Sequence, residues 1–273
     1  MGDDDASVML LTCVDDPSDA SDARSGVAAG WPCSNPGAVT PPCSNHGAGF
    51  GAVTVPARPG RADVDPLLAG PVRRLVVAGT DADLAAVLVR LLRRDRLDVE
   101  LAYIPADHRS AAARLWGVPR GPAAVALART GVARPAPLVR DDTGGVLVGR
   151  GEIRGAPGSV HGEAYCDGLL VLRGSARRLV VTPRADAAPS PGGTAEPAPP
   201  GLAVRASRWG ALPDGRLRPV PPAARAGRGA AVGRAVQVGC LPATVVHDGV
   251  AHPRPVTRWA WYRHVTDWLL VRP

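Results

Sequence analysis

The stretch from residue 74 to 93 constrains the fold more than any other. Arg74-Leu75-Val76-Val77-Ala78 is a short apolar run that stops at Gly79, as a buried strand does. Thr80-Asp81-Ala82-Asp83 follows, and then Leu84, Val87, Leu88, Leu91 and Leu92 fall at i, i+3, i+4, i+7 and i+8. That spacing lays one apolar stripe along a helix. Asp81 is placed to cap its start, and Arg93, Arg94 and Arg96 complement the dipole at its end. Residues 99–104 read as a second strand closed by Pro105. Ser110 is placed to cap a short helix through Trp116, and Gly121-Pro122 opens another that runs to Gly131. Strand, helix, strand, helix, helix in this order predicts an α/β unit on a parallel sheet.

Beyond Pro135 the texture changes. Strands are expected over residues 146–153, 169–173, 179–183, 202–209, 235–240, 244–247 and 268–271, with hairpin-type turns at Gly174-Ser175 and Asp248-Gly249. The sequence therefore predicts a small parallel-sheet α/β domain over 67–138. A mainly antiparallel, sandwich-like β domain follows over 139–273. The insert 185–201, rich in Ala, Pro and Gly, reads as a mobile loop. Residues 1–66 hold Asp/Ser clusters and a short imperfect duplication (PCSNPGAVTP, then PCSNHGAGFGAVTVP), and they read as a disordered or non-native extension.

Composition narrows the chemistry. All 32 basic residues are arginine, and a chain without lysine has no Walker-A loop, Schiff base or lysine general base. The bias toward Ala, Arg, Gly and Pro weakens the inference from the net charge of +7 to nucleic acid, a partner that ranks last. Five scattered cysteines without CxxC spacing suit reduced thiols in a cytoplasm. A zinc site from Cys33, Cys43 and His46 lacks a fourth ligand, so no metal residue is assigned. No apolar stretch approaches the roughly 20 residues of a membrane-spanning helix.

LVVAGTDADLAAVLVRLL resembles the strand–glycine loop–helix of the diacylglycerol kinase catalytic family, lipid kinases related to NAD kinases. That family's loop reads Gly-Gly-Asp-Gly-Thr followed by Leu. Gly79, Asp81 and Leu84 match, while Thr80, Ala82 and Asp83 replace the second Gly, the third Gly and the Thr. Downstream, IPADHRSAAARLWGVP is similar to the family's second loop and short helix. Pro105, Ala113, Arg114, Gly117 and Pro119 are in register, whereas Asp107, His108, Arg109, Ser110 and Ala111 stand in the Gly-Thr-Gly-Asn-Asp stretch without a match. Near the end, Asp248-Gly249-Val250 resembles an Asp-Gly-Glu turn, and WLLVRP resembles the closing strand.

The resemblance implies a site in which Gly79, Thr80, Asp81, Asp83, Pro105, His108 and Arg109 meet nucleotide phosphates. Asp248 would take the proton of a lipid hydroxyl, and ATP with Mg²⁺ would be the cofactors. Asp81, Asp83, Asp141 and Asp142 are candidate metal carboxylates, though no spacing selects a set. The opening strand with its Asn-Pro-x-Ser-Gly loop is not visible before residue 72. Each Cβ added where a backbone must approach phosphate costs about 1–2 kcal/mol. The expectation is a kinase-like protein with degenerate nucleotide loops that binds a lipid or nucleotide without efficient catalysis. A working ATP-dependent lipid kinase is the alternative, and a basic nucleic-acid-binding protein ranks behind it. Scattered arginines also suit peripheral contact with an anionic membrane.

Three further features are weighed. His161-Gly162-Glu163 reads as loop, and Asp141-Asp142 ahead of Thr143-Gly144-Gly145 reads as a solvated turn. Trp259 and Trp261 share one face of a strand as core or sheet cover, with base stacking or a membrane surface as the other reading. Trp116 reads as packing between domains.

Overall fold

The computed structural model describes residues 7–15, 50–156, 158–184, 201–211, 217–220 and 230–273. They fall into two compact units, Met1–Ala136 with Asp267–Pro273, and Pro137–Thr266.

The first unit runs β1 (Ser7–Val14), β2 (Phe50–Pro56), α1 (Arg61–Leu68), β3 (Val72–Gly79), α2 (Asp81–Arg93), β4 (Glu100–Pro105), α3 (Ala111–Trp116), α4 (Pro122–Thr130) and β5 (Ala133–Ala136). The chain returns to it at its end with β18 (Trp268–Val271). The six strands lie in the order β2-β1-β3-β4-β18-β5, all parallel but for β5 against β18. Both faces of this sheet are covered, which is why residues 75–78 are apolar without alternation. On one face Val76, Ala78, Ala102 and Ile104 pack with Ala124 and Ala128 of α4. The apolar stripe of α2 (Leu84, Val87, Leu88, Leu91) is wholly buried, and α2 packs on β3. Arg90 of α2 is held by both oxygens of Asp65 in α1 at 2.8 Å each, and that guanidinium keeps the Asp65 carboxyl below its ordinary range.

The second unit holds β6 (Val139–Asp141), β7 (Val146–Leu147), β8 (Gly151–Gly155), β9 (Val160–Cys166), β10 (Leu169–Ala176), β11 (Arg178–Arg184), β12 (Gly201–Ala211), β13 (Leu217–Val220), β14 (Ala231–Gly233), β15 (Ala235–His247), β16 (Val250–Ala251) and β17 (Val256–Arg263). Its pairings are antiparallel throughout. Ile153, Leu179, Val181, Leu202, Val204, Val245, Trp259 and Trp261 form its core, so the tryptophan pair is core, as one of its two readings held. The fold class expected from the sequence, a parallel-sheet α/β domain with an antiparallel β domain, is the one observed.

Several details differ from expectation. Ser7–Val14 is not tail but the strand beside β3, and Phe50–Pro56 adds the edge beyond it. The apolar run in β1 is short because a parallel strand buried between two others needs only a few residues. Its partners β2 and β3 lie 42 and about 65 residues away, beyond the reach of local pattern. The duplicated segments up to Gly49, with Cys33, Cys43 and His46, lie outside the described residues, as does nearly all of the 185–201 insert. Residues 268–271 join the parallel sheet rather than the β domain, and Trp116 packs edge-on to Trp268 within the first unit, ring centroids 6.2 Å apart. Thr80, not Asp81, is the N-cap of α2. Residues 235–247 are one strand with a bulge between Gly239 and Ala243 rather than two. Gly174-Ser175 lies inside β10, and His161–Glu163 inside β9. Asp248-Gly249 is the turn expected, with φ of +47° and +91°, the left-handed pair of a tight hairpin.

Candidate functional site

In an open parallel sheet, ligands are held at the carboxyl edge, where strands feed helix N-termini. Here that edge carries the ends of β3 and β4, with Gly79 and Pro105 in register. The Ala106 amide donates to the Gly79 carbonyl at 2.8 Å. The structure thus brings Gly79, Thr80, Asp81, Asp83 and Pro105 together. His108 and Arg109 lie on the turn after β4 and are exposed, with the Arg109 amide donating to Asp107 Oδ1 at 2.7 Å and His108 Nδ1 3.3 Å from the same oxygen.

The two carboxylates of the loop are occupied by the chain itself. Asp83 accepts the Thr80 amide at 2.7 Å and the Thr80 hydroxyl at 2.8 Å on Oδ2, and the Arg58 amide at 2.6 Å on Oδ1. The Asp83 amide returns to Thr80 Oγ1 at 3.3 Å, closing a capping box on α2. Asp83 is 3% exposed, and it lies so near β3 that a Cβ on residue 79 would meet its Oδ2 at 2.6 Å and Cys13 Cβ at 3.1 Å. Glycine is therefore required at 79 by a carboxylate of the protein's own.

Asp81 reaches across to the next helix. Its Oδ1 accepts the Tyr103 hydroxyl at 2.9 Å and the Ser110 hydroxyl at 2.5 Å. Its Oδ2 accepts the amides of Ala111 and Ala112 at 2.7 and 3.1 Å, while Ser110 Oγ accepts from the Ala113 amide at 2.8 Å. Every one of these donors is of the kind a bound oxyanion would use. Burial, and then the Asp81 charge, push the Tyr103 hydroxyl far above its ordinary pKa, so it stays protonated and donates. Burial, with the charges of Asp83 and Asp63, does the same to the Cys13 thiol. Tyr103 was not singled out by the sequence, because its role depends on a register across β3 and β4.

Asp248 lies in the second unit, on the turn between β15 and β16. Its Oδ1 accepts the amides of Gly149 and Arg150 at 2.8 Å each, its Oδ2 accepts the Val148 amide at 2.9 Å, and its side chain is 1% exposed. Beside it, His247 places Nε2 3.3 Å from Asp141 Oδ2 but off the line of a hydrogen bond, and stacks on Trp261 at 6.3 Å. Burial pushes the His247 pKa down to about 4, with Asp141 opposing. Asp141 is itself buried rather than solvated, accepting Thr143 N, Thr143 Oγ1 and Gly145 N at 2.8, 2.7 and 2.9 Å.

No protein-family model matches the chain, and no curated protein sequence matches it either. Solved structures do. A putative diacylglycerol kinase from Bacillus anthracis aligns with a TM-score of 0.62 at 14% identity, over 98% of this chain and 97% of that one. A second structure of a putative diacylglycerol kinase from that organism gives 0.60 at 12% identity with the same coverage. An NAD kinase from Archaeoglobus fulgidus, solved in complex with ATP, gives 0.51 at 12% identity over 97% and 93%. The chain has the fold of diacylglycerol and NAD kinases. No helix among the described residues is long and apolar enough to cross a membrane.

Proposed function

We propose that this is a diacylglycerol-kinase-fold protein that works by binding a lipid or nucleotide ligand rather than by efficient phosphoryl transfer. The observation that carries this reading is the self-occupied loop. The donors at the 79–84 turn and at the start of α3 are taken by Asp83 and Asp81, and two carboxylates stand where phosphate oxygens would approach. Phosphate does not fit there, since displacing either carboxylate sacrifices charge-assisted hydrogen bonds and brings like charges together.

The setting of Asp248 supports the same reading. A general base must reach the proton it removes. Here three amides hold the carboxylate, and its side chain is sealed from solvent, which suits a clasp joining the 248–249 turn to residues 148–150. The ligand class is taken from the neighbours' fold, and contact with a membrane surface is part of the proposal. The competing reading, an ATP-dependent lipid kinase with Asp248 as base, is favoured by the nucleotide in the NAD kinase neighbour. Transfer of labelled phosphate from ATP to diacylglycerol in mixed micelles decides between them. No product above the protein-free blank is expected, and turnover that Asp248→Asn abolishes would overturn the proposal.

A further inference from the structure

The outer face of the second unit's sheet carries a concentration of charge that neither the core nor the 79–84 loop explains. In the register of β8, β11 and β12, Glu152 lies opposite Val180, which lies opposite Arg205, so all three share a face. Arg178 and Thr182 stand on the same face of β11, and Arg154 on the same face of β8, by alternation. Glu152 is 4% exposed. It pairs with Arg150, with Arg154 at 2.6 Å and with Arg178 at 3.4 Å. Arg205 is close enough for its charge, with those of Arg178 and Arg154, to weigh on Arg150.

Three guanidiniums thus pair with one carboxylate and a fourth, Arg205, stands near them, leaving an excess of three positive charges. Among the described residues, the ion pairs of Arg150, Arg154 and Arg178 run to Glu152 alone. The Nε atoms of Arg150 and Arg178 are buried without hydrogen-bond partners. Such an array repels itself unless a second anion enters it. Beside it lies a depression of about 130 Å³ lined by Val180, Thr182, Ala203, Arg205 and Ala230. At roughly 30 Å³ per water it holds about four waters, room for one tetrahedral oxyanion. Arg205 and Thr182 offer it donors, and planar guanidiniums match oxyanions bidentately.

We infer that this face binds a phosphate group, with Arg205, Arg178, Arg154 and Thr182 as its donors and Glu152 as the buried anchor that holds the guanidiniums in place. The inference goes beyond the reading of the 79–84 loop and does not depend on it, because no residue is shared.

The test uses the full chain. Thermal unfolding is followed while orthophosphate replaces chloride at constant ionic strength. Co-sedimentation is measured with vesicles of phosphatidylcholine containing phosphatidic acid, against pure phosphatidylcholine. The double variant Arg154→Gln/Arg205→Gln alters two exposed side chains, and Arg205→Gln alone serves if the double variant melts early in chloride. Binding of at least one probe is expected in the wild type, weakened about tenfold or more for each guanidinium removed. Protection by orthophosphate without sedimentation identifies a soluble phosphate compound, whereas sedimentation alone identifies a lipid headgroup. Asp81→Asn must bind as the wild type does, which separates failure here from failure of the loop reading. Equal binding by the wild type and the Arg205 variant, or binding of neither probe by the wild type, overturns the inference.

Discussion

Replacing Asp81 by alanine removes one carboxylate and strands the groups that donate to it. The Tyr103 hydroxyl retains the Gly79 carbonyl at 3.2 Å as an acceptor, so it is not orphaned. The Ser110 hydroxyl proton and the amides of Ala111 and Ala112 lose their acceptor. An unsatisfied donor costs about 1–3 kcal/mol when buried, and these are partly buried, so about 1 kcal/mol each is apt. The expected loss is therefore about 3 kcal/mol, or some 6–12 °C at about 2–4 °C per kcal/mol for a chain of this size. Asparagine has the same shape. Its amide oxygen serves Ala111 and Ala112, its NH₂ faces the two hydroxyls, and the loss falls to about 1 kcal/mol. Guanidinium unfolding of the two variants, with Ser110→Ala as the partner in a double-mutant cycle, measures this directly. The reasoning fails if alanine costs no more than asparagine, or if Ser110→Ala adds its full effect to Asp81→Ala, because the carboxylate would then not be the clasp.

Two further outcomes follow from the same geometry. Gly79→Ala forces a Cβ against Asp83 Oδ2 and Cys13 and should cost about 2 kcal/mol; a neutral result would show that Asp83 does not pack there. His247 faces Asp141 Oδ2 at 3.3 Å, Asp248 Oδ2 at 3.7 Å and the Trp261 ring, and burial lowers its pKa from 6.5 to about 4. A depressed pKa means the unfolded chain binds the proton first. The contribution of His247 is then complete above about pH 6.5 and is lost as pH falls toward 4, at most about 3 kcal/mol. Unfolding free energy measured across that window should fall less steeply in His247→Gln, and a wild-type profile no steeper than the variant's would refute it.

The α/β core was legible because β3 and α2 carry their own punctuation: a continuous apolar run, then a 3.6-residue stripe, then arginines. What escaped the sequence is non-local. β1 and β18 are short apolar runs whose partners lie far along the chain, and nothing in them says which sheet they join. The replacement of loop glycines by Thr80 and Ala82, and of the Thr by Asp83, was visible as a departure from a phosphate loop. What the replacements do was not, because Asp81 acts on residues 22 to 31 positions away. The arginine face had a local trace, since Glu152 and Arg154 alternate along β8 and Arg150 stands just before it. Its other members come from β11 and β12, and only the register assembles them.

Thermal unfolding of the full chain with and without excess Mg²⁺-ATP tests the central claim most directly. Ligand at about 100 times its dissociation constant stabilises the state that binds it by roughly 2.7 kcal/mol. If Asp81 and Asp83 hold the donors of the loop, a chain whose arginine face is disabled by Arg154→Gln/Arg205→Gln shows no ATP-dependent shift beyond that given by an equal concentration of orthophosphate. A larger, ATP-specific shift that persists in Arg154→Gln/Arg205→Gln, and so does not come from the arginine face, would mean that nucleotide binds at the loop despite the carboxylates, and would contradict the account.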